Sequence, residues 1–94
     1  MKAILRNESL ELTYDGDVLH ISLNGHETDV KLNHLQTVVE LIPNTTLGKY
    51  YDIRVIAIHQ HGQPVILFPV SKEESRKVLT GIQQWKLTNM RLNG

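Results

Sequence analysis

The side chains of this chain that are able to do chemistry are histidines, carboxylates and hydroxyls, because cysteine is absent. Two of the five histidines, His59 and His61, stand one residue apart in the stretch IAIHQHGQPVI. Residues two apart on a strand project to one face, so such a pair can offer two imidazoles to one metal ion. Zinc wants at least three protein ligands, and the iron oxygenases want two histidines and a carboxylate. The nearest acidic candidates are Glu40 and Asp52. A further histidine, His20, aligns between Glu11 and Asp29 when the first strands are paired as below. A histidine between two carboxylates is an acid–base arrangement. It is also what a solvated sheet face carries, at roughly 0.2–1 kcal/mol for each charge pair, and base rates favour the solvated face.

Other catalytic patterns are missing. The chain has no Gly-x-Ser-x-Gly, no HExxH and no glycine-rich phosphate loop. Glu73 and Glu74 sit where a helix begins and are explained by capping. The sequence therefore predicts no enzyme, no cofactor and no metal centre.

Composition narrows the options further. A chain of 94 residues is read as one domain, residues 1–94. Ten basic residues balance ten acidic ones, whereas nucleic-acid binding usually needs a basic excess. The start MKAILRNESLEL lacks the apolar run of a signal peptide, and no stretch approaches the roughly 20 apolar residues that span a bilayer. A cytoplasmic protein is expected. The Asn-x-Ser/Thr matches at Asn7 and Asn44 are of a kind that arises by chance.

The elements that position these residues are mostly strands. Asp15-Gly16 and Asn24-Gly25 are strong hairpin signals, and the segments around them alternate in polarity. A two-residue loop at Asp15-Gly16 pairs Leu12 with Leu19 and Leu10 with Ile21. The same loop at Asn24-Gly25 pairs Leu19 with Val30 and Ile21 with Thr28. Both place apolar residues on one face, which predicts an antiparallel meander over residues 9–32. Residues 33–42 are read as one turn at 33–36 followed by a strand at 37–43; a helix over 33–42 is the alternative. PNTTLGKY is expected to be a mobile polar connection.

YYDIRVIAIHQHGQPVILFPV reads as a second long hairpin. A type I′ loop at His61-Gly62 pairs Gln60 with Gln63 and sets His59 opposite Pro64, where a missing N–H does no harm. It also puts His61 in the turn, away from the strand face of His59, which favours a hairpin tip over a metal site. In that register Val55, Ala57, Ile66 and Phe68 share one face, and Ile56, Ile58, Val65 and Leu67 the other. Apolar residues on both faces mean either a second covering layer or an exposed patch, and exposed patches mark partner surfaces.

SKEESRKVLTGIQQW opens with Ser71 followed three residues later by Glu74, a capping box. Val78, Ile82 and Trp85 then form one apolar stripe. The helix is expected over about 72–87, with a flexible tail over about 88–94. Gly81 inside it suggests a close approach to a strand.

A run of antiparallel strands closed by one C-terminal helix resembles a pleckstrin-homology-type roll, in particular the short bacterial PH-like domains. The resemblance covers nearly the whole chain. It rests on DVKLNHLQTVVEL, with its apolar pair Leu35 and Val38, and on IRVIAIHQHGQPVILFPVSKEESRKVLTGIQQW. It implies a mainly β fold, a β-roll or partly open barrel with one C-terminal α-helix, and a binding or assembly module without enzymatic activity. The loop TYDGDVL departs from the pattern: it is acidic, where lipid-binding members carry a basic cluster. Phosphoinositide or membrane binding is therefore not expected.

The function expected from these readings is a non-enzymatic interaction module. It binds a protein partner, or itself as a homo-oligomer, through a sheet edge or the apolar hairpin face. The residues expected to carry it are Ile56, Ile58, Val65 and Leu67, with His59 and Gln60 at the rim. The alternative is a small ligand- or metal-binding domain using His20, His59 or His61.

Overall fold

The computed structural model describes residues 1–43 and 51–93. The connection expected to be mobile falls largely on residues 44–50, outside the described residues. Four strands form one antiparallel sheet in chain order: β1 (Lys2–Arg6), β2 (Leu10–Asp15), β3 (Val18–Leu23) and β4 (His26–Lys31). A second sheet holds β5 (Leu35–Leu41), β6 (Ile53–Gln60) and β7 (Gln63–Ser71), and the helix α1 (Lys72–Asn93) follows. The fold is mainly β with one C-terminal helix, and the two sheets do not close into a barrel.

The meander is present, and its second turn has the expected register, Leu19 opposite Val30 and Ile21 opposite Thr28. Asn24 and Gly25 both take positive φ, as a type I′ turn requires. The first turn is corrected by one position: the loop is Gly16-Asp17, so Leu12 faces Ile21 and Leu10 faces Leu23. Of that loop only Gly16 has a positive φ, which suits a II′ turn with glycine in its first position. Moving a two-residue loop by one place shifts the pairing by two, so the same side chains still point inward. Leu10, Leu12, Leu19, Ile21 and Val30 are all buried.

β1 is the strand that alternation does not announce. Ala3 pairs with Thr13 and Leu5 with Leu12, which leaves Ile4 as the extra residue of a β-bulge. Its apolar residues are therefore neighbours in sequence, not alternate ones. Between β4 and β5 the chain makes one 3-10 turn, Leu32–His34, and then enters β5 directly. The turn-then-strand reading of 33–43 holds, and the helical alternative for 33–42 does not.

Both sheets and the helix feed one core. Phe68, Ile56, Ile58 and Val70 from the second sheet meet Leu10, Leu12, Leu19 and Ile21 from the first, with Val78, Ile82 and Trp85 from α1. Trp85 is fully buried, its ring 6.5 Å from that of Tyr14. Its indole N–H donates to the Gly16 carbonyl at 2.9 Å, and the Asn89 side-chain amide donates to the same oxygen at 2.9 Å. This corrects the expected end of the helix. The helix runs on to Asn93, and Asn89, one turn beyond Trp85, is buried and hydrogen-bonded to a strand turn. Leu87 and Met90, on the other side of α1, are exposed.

Gly81 sits against β1. A Cβ built there would lie 2.5 Å from Ile4 Cγ2 and 3.1 Å from Ile4 Cβ. These atoms are at the root of a β-branched side chain, which cannot swing aside. Gly81→Ala is therefore expected to destabilise the fold by about 1–3 kcal/mol, against alanine's better helix propensity. Combined with Ile4→Ala, the loss should fall below the sum of the two single changes. Denaturant unfolding of both single variants and the double variant measures that coupling.

Candidate functional site

The residues expected to form one binding face are split between two. Gln60 does pair with Gln63 across the His61-Gly62 turn, but Ile58 pairs with Ile66, not with Val65. His59 thus stands opposite two residues, Pro64 and Val65, in a β-bulge. The bulge moves β7 by one residue against β6 and exchanges its faces. Ile56 now lines up with Phe68 and Ile58 with Ile66, and both isoleucines are 0% exposed in the core. Val65 and Leu67 turn the other way and are 48% and 54% exposed. Gln60 is buried, its side-chain amide donating to the Pro64 carbonyl.

The turn explains the bulge. At the tip only Gly62 has a positive φ, whereas a type I′ loop needs two such residues. Turns with a single left-handed residue in second place do not match the twist of paired strands, and the mismatch is relieved in the ladder beside them. Pro64, which has no N–H to give, occupies the bulge, and with Pro69 it lies on the outermost strand of its sheet.

The outward face of the second sheet follows from the register. Val39, Ala57 and Leu67 form one row across the three strands, and Leu41, Val55 and Pro69 the next. Thr37 and His59 stand beside Val65 in the row nearest the tip. Val39 and Leu41 are exposed like Val65 and Leu67, and Ile42 beyond β5 is 66% exposed. Ala57, in the middle of the row, is buried. The face is an apolar surface on three strands, with His59 as its only ionisable side chain among the described residues.

The histidines do not converge with carboxylates. His61 is in the turn; its backbone N–H donates to the His34 carbonyl at 2.7 Å, which fastens the tip to the 3-10 turn. Glu40 faces Ile56 on the inner side of the sheet, opposite to His59, and accepts a hydrogen bond from the hydroxyl of the buried Ser75. Asp52 lies at the other end of β6, roughly 20 Å from His59 at the rise of a strand. Among the described residues no three of His, Asp and Glu are grouped to hold a metal.

On the first sheet His20 Nδ1 is 2.7 Å from Asp29 Oδ1. Its other neighbour is Thr13, not Glu11, because the first turn is displaced; Glu11 faces Ser22 and lies 3.6 Å from the Arg6 guanidinium. The expected row of three charges is thus one pair and one separate carboxylate, both on a solvated face.

The capping box is formed as read. The Ser71 backbone N–H donates to Glu74 Oε1 at 2.9 Å, and the Glu74 N–H donates to Ser71 Oγ at 3.1 Å. Sequence reasoning missed the third member. Asn7 donates its side-chain N–H to Glu74 Oε2 at 2.9 Å, while its Oδ1 accepts from the N–H groups of Ser9 and Leu10. An asparagine followed by a short polar step is the signal of such a turn. The Ser71 N–H, and then the Asn7 amide, hold the Glu74 carboxyl below its usual pKa.

Comparison with protein-family models, with curated proteins and with solved structures finds no match to this chain. Among the described residues no helix is long and apolar enough to cross a membrane.

A lowered folded-state pKa means that the charged Glu74 stabilises the fold above the unfolded value, about 4.3 for glutamate. That contribution is lost as pH falls through the folded value. Glu74→Gln should therefore be less stable than wild type at neutral pH, and the difference should shrink as pH drops below about 4. Ser71→Ala, which removes the cap itself, should cost about 1 kcal/mol. Unfolding curves across pH check both.

Proposed function

We propose that this chain is a non-enzymatic interaction module of the PH-like kind. Its second sheet binds a protein partner, or another copy of itself, through the outward apolar face. The reading rests on one observation: the bulge at His59 places Val65 and Leu67 in a common surface with Val39 and Leu41. A sheet face in water ordinarily alternates to polar residues, and an apolar one that nothing among the described residues covers is a surface that another molecule covers. The order of four strands, three strands and one closing helix supports the PH-like reading. Two prolines on β7 disfavour pairing at that edge, which favours association by the face over association by the strand.

The charged groups nearest to a catalytic pattern are engaged in structure. Glu74 caps a helix, Glu40 holds Ser75, and His20 pairs with Asp29.

Placing a charge on the face and placing one in the core should separate cleanly. Wild type is expected to rise in mass with concentration by light scattering, and Leu67→Glu to abolish that rise while leaving the circular dichroism unchanged. Ile58→Glu buries an unpaired carboxylate and should unfold the chain, at a cost of about 4 kcal/mol or more. A chain that stays monomeric, and gives no crosslink in lysate from a photoreactive residue at position 67, overturns the reading.

A further inference from the structure

A groove of about 1090 Å³ between β1 and the first half of α1 belongs to neither face described above. One wall is Lys2, Ala3 and Ile4. Ile4 is the bulge residue, so alternation is broken here, and the groove meets Lys2, Ala3 and Ile4 in a row together with Tyr14, the β2 partner of Lys2. The outer edge of β1 has no partner strand among the described residues, since β1 is outermost in its sheet, and an outermost strand offers its outward N–H and C=O groups to a further strand. The other wall is one face of the helix: Glu73, Arg76, Lys77, Thr80, Gly81 and Gln84 recur at helical spacing. The floor is the close approach of Gly81 to Ile4.

The groove is electropositive in a chain with no net charge. Lys2, Lys72, Arg76 and Lys77 line it against two carboxylates, Asp52 and Glu73. None of the four cations is in an ion pair among the described residues. We propose that the groove takes an extended acidic segment of a partner protein, added as a strand to the free edge of β1. Main-chain hydrogen bonds from Lys2–Arg6 hold its backbone, over roughly 17 Å for a strand of this length. Alternate side chains of the added strand face α1, where carboxylates meet Arg76 and Lys77 in charge-assisted hydrogen bonds. A nucleic acid fits less well: it has no use for a strand edge, and a chain without net charge gives it little long-range attraction. This site is separate from the apolar face of the second sheet, and it stands or falls independently.

The test is an amide NMR titration of the full chain with a short capped peptide of alternating glutamate and threonine. Saturable shifts are expected at Lys2–Arg6 and along Lys72–Gln84, weakening as salt is raised. The same peptide with every threonine replaced by proline should not bind, because it cannot complete the ladder. Arg76→Glu combined with Lys77→Glu, both exposed positions, should lower affinity roughly tenfold or more; if that variant does not fold, Lys2→Glu gives the same reading. Leu67→Glu should bind the peptide as wild type does. The proposal is overturned by an absence of saturable shifts, by equal binding of a lysine-for-glutamate peptide, by binding of the proline peptide, or by oligothymidine binding the groove as tightly as the acidic peptide.

Discussion

A pleated strand has a period of two, and a shift of one residue exchanges its faces while a shift of two does not. The whole arrangement depends on that parity. At the first hairpin the loop slides by one position, the pairing moves by two, and Leu10, Leu12, Leu19 and Ile21 remain in the core. At the last hairpin one extra residue enters β7, and everything beyond it inverts relative to β6. The same rule that protects the core in one sheet creates the exposed apolar surface in the other.

Parity also separates what the sequence discloses from what it hides. Alternation, turn residues and the capping box make the meander, the strand after the 3-10 turn and the helix start legible, because each depends on neighbours a few residues away. The bulges do not show. Ile4 and the His59–Pro64 region each depend on how a twisted ladder relieves strain, and no spacing of apolar residues records that. The end of the helix is hidden for a different reason. Trp85 reads as an anchor, but Asn89 reads as a polar tail residue, and only its bond to the distant Gly16 carbonyl makes it part of the core. For the candidate face, Val65 and Leu67 were legible as apolar strand residues and their company was not. Ile56 and Ile58 went inward, and Val39 and Leu41 took their place.

Polar groups at the helix act as fasteners between elements. Near its start Glu74 holds Asn7 between β1 and β2, and Ser75 holds Glu40 on β5. Near its end Trp85 and Asn89 hold the turn between β2 and β3. Hydrophobic burial supplies the driving force for a core of this kind, but it is non-directional. The hydrogen bonds give α1 one register against the sheets, and it is that register which sets Gly81 over Ile4 and opens the groove beside them.

The bond from Trp85 to Gly16 spans 69 residues of sequence, and this has a consequence for how the chain is made. Synthesis proceeds from the N-terminus, so the first sheet emerges long before the residues that cover its apolar side. Until α1 leaves the ribosome, the meander lacks the helix that completes its cover, and the Gly16 carbonyl lacks both of its donors. Contacts this distant in sequence slow folding, since their loop must close before they give any return. The nascent chain therefore passes through an interval in which its future core is open to other molecules, and the arrival of one tryptophan brings that interval to an end.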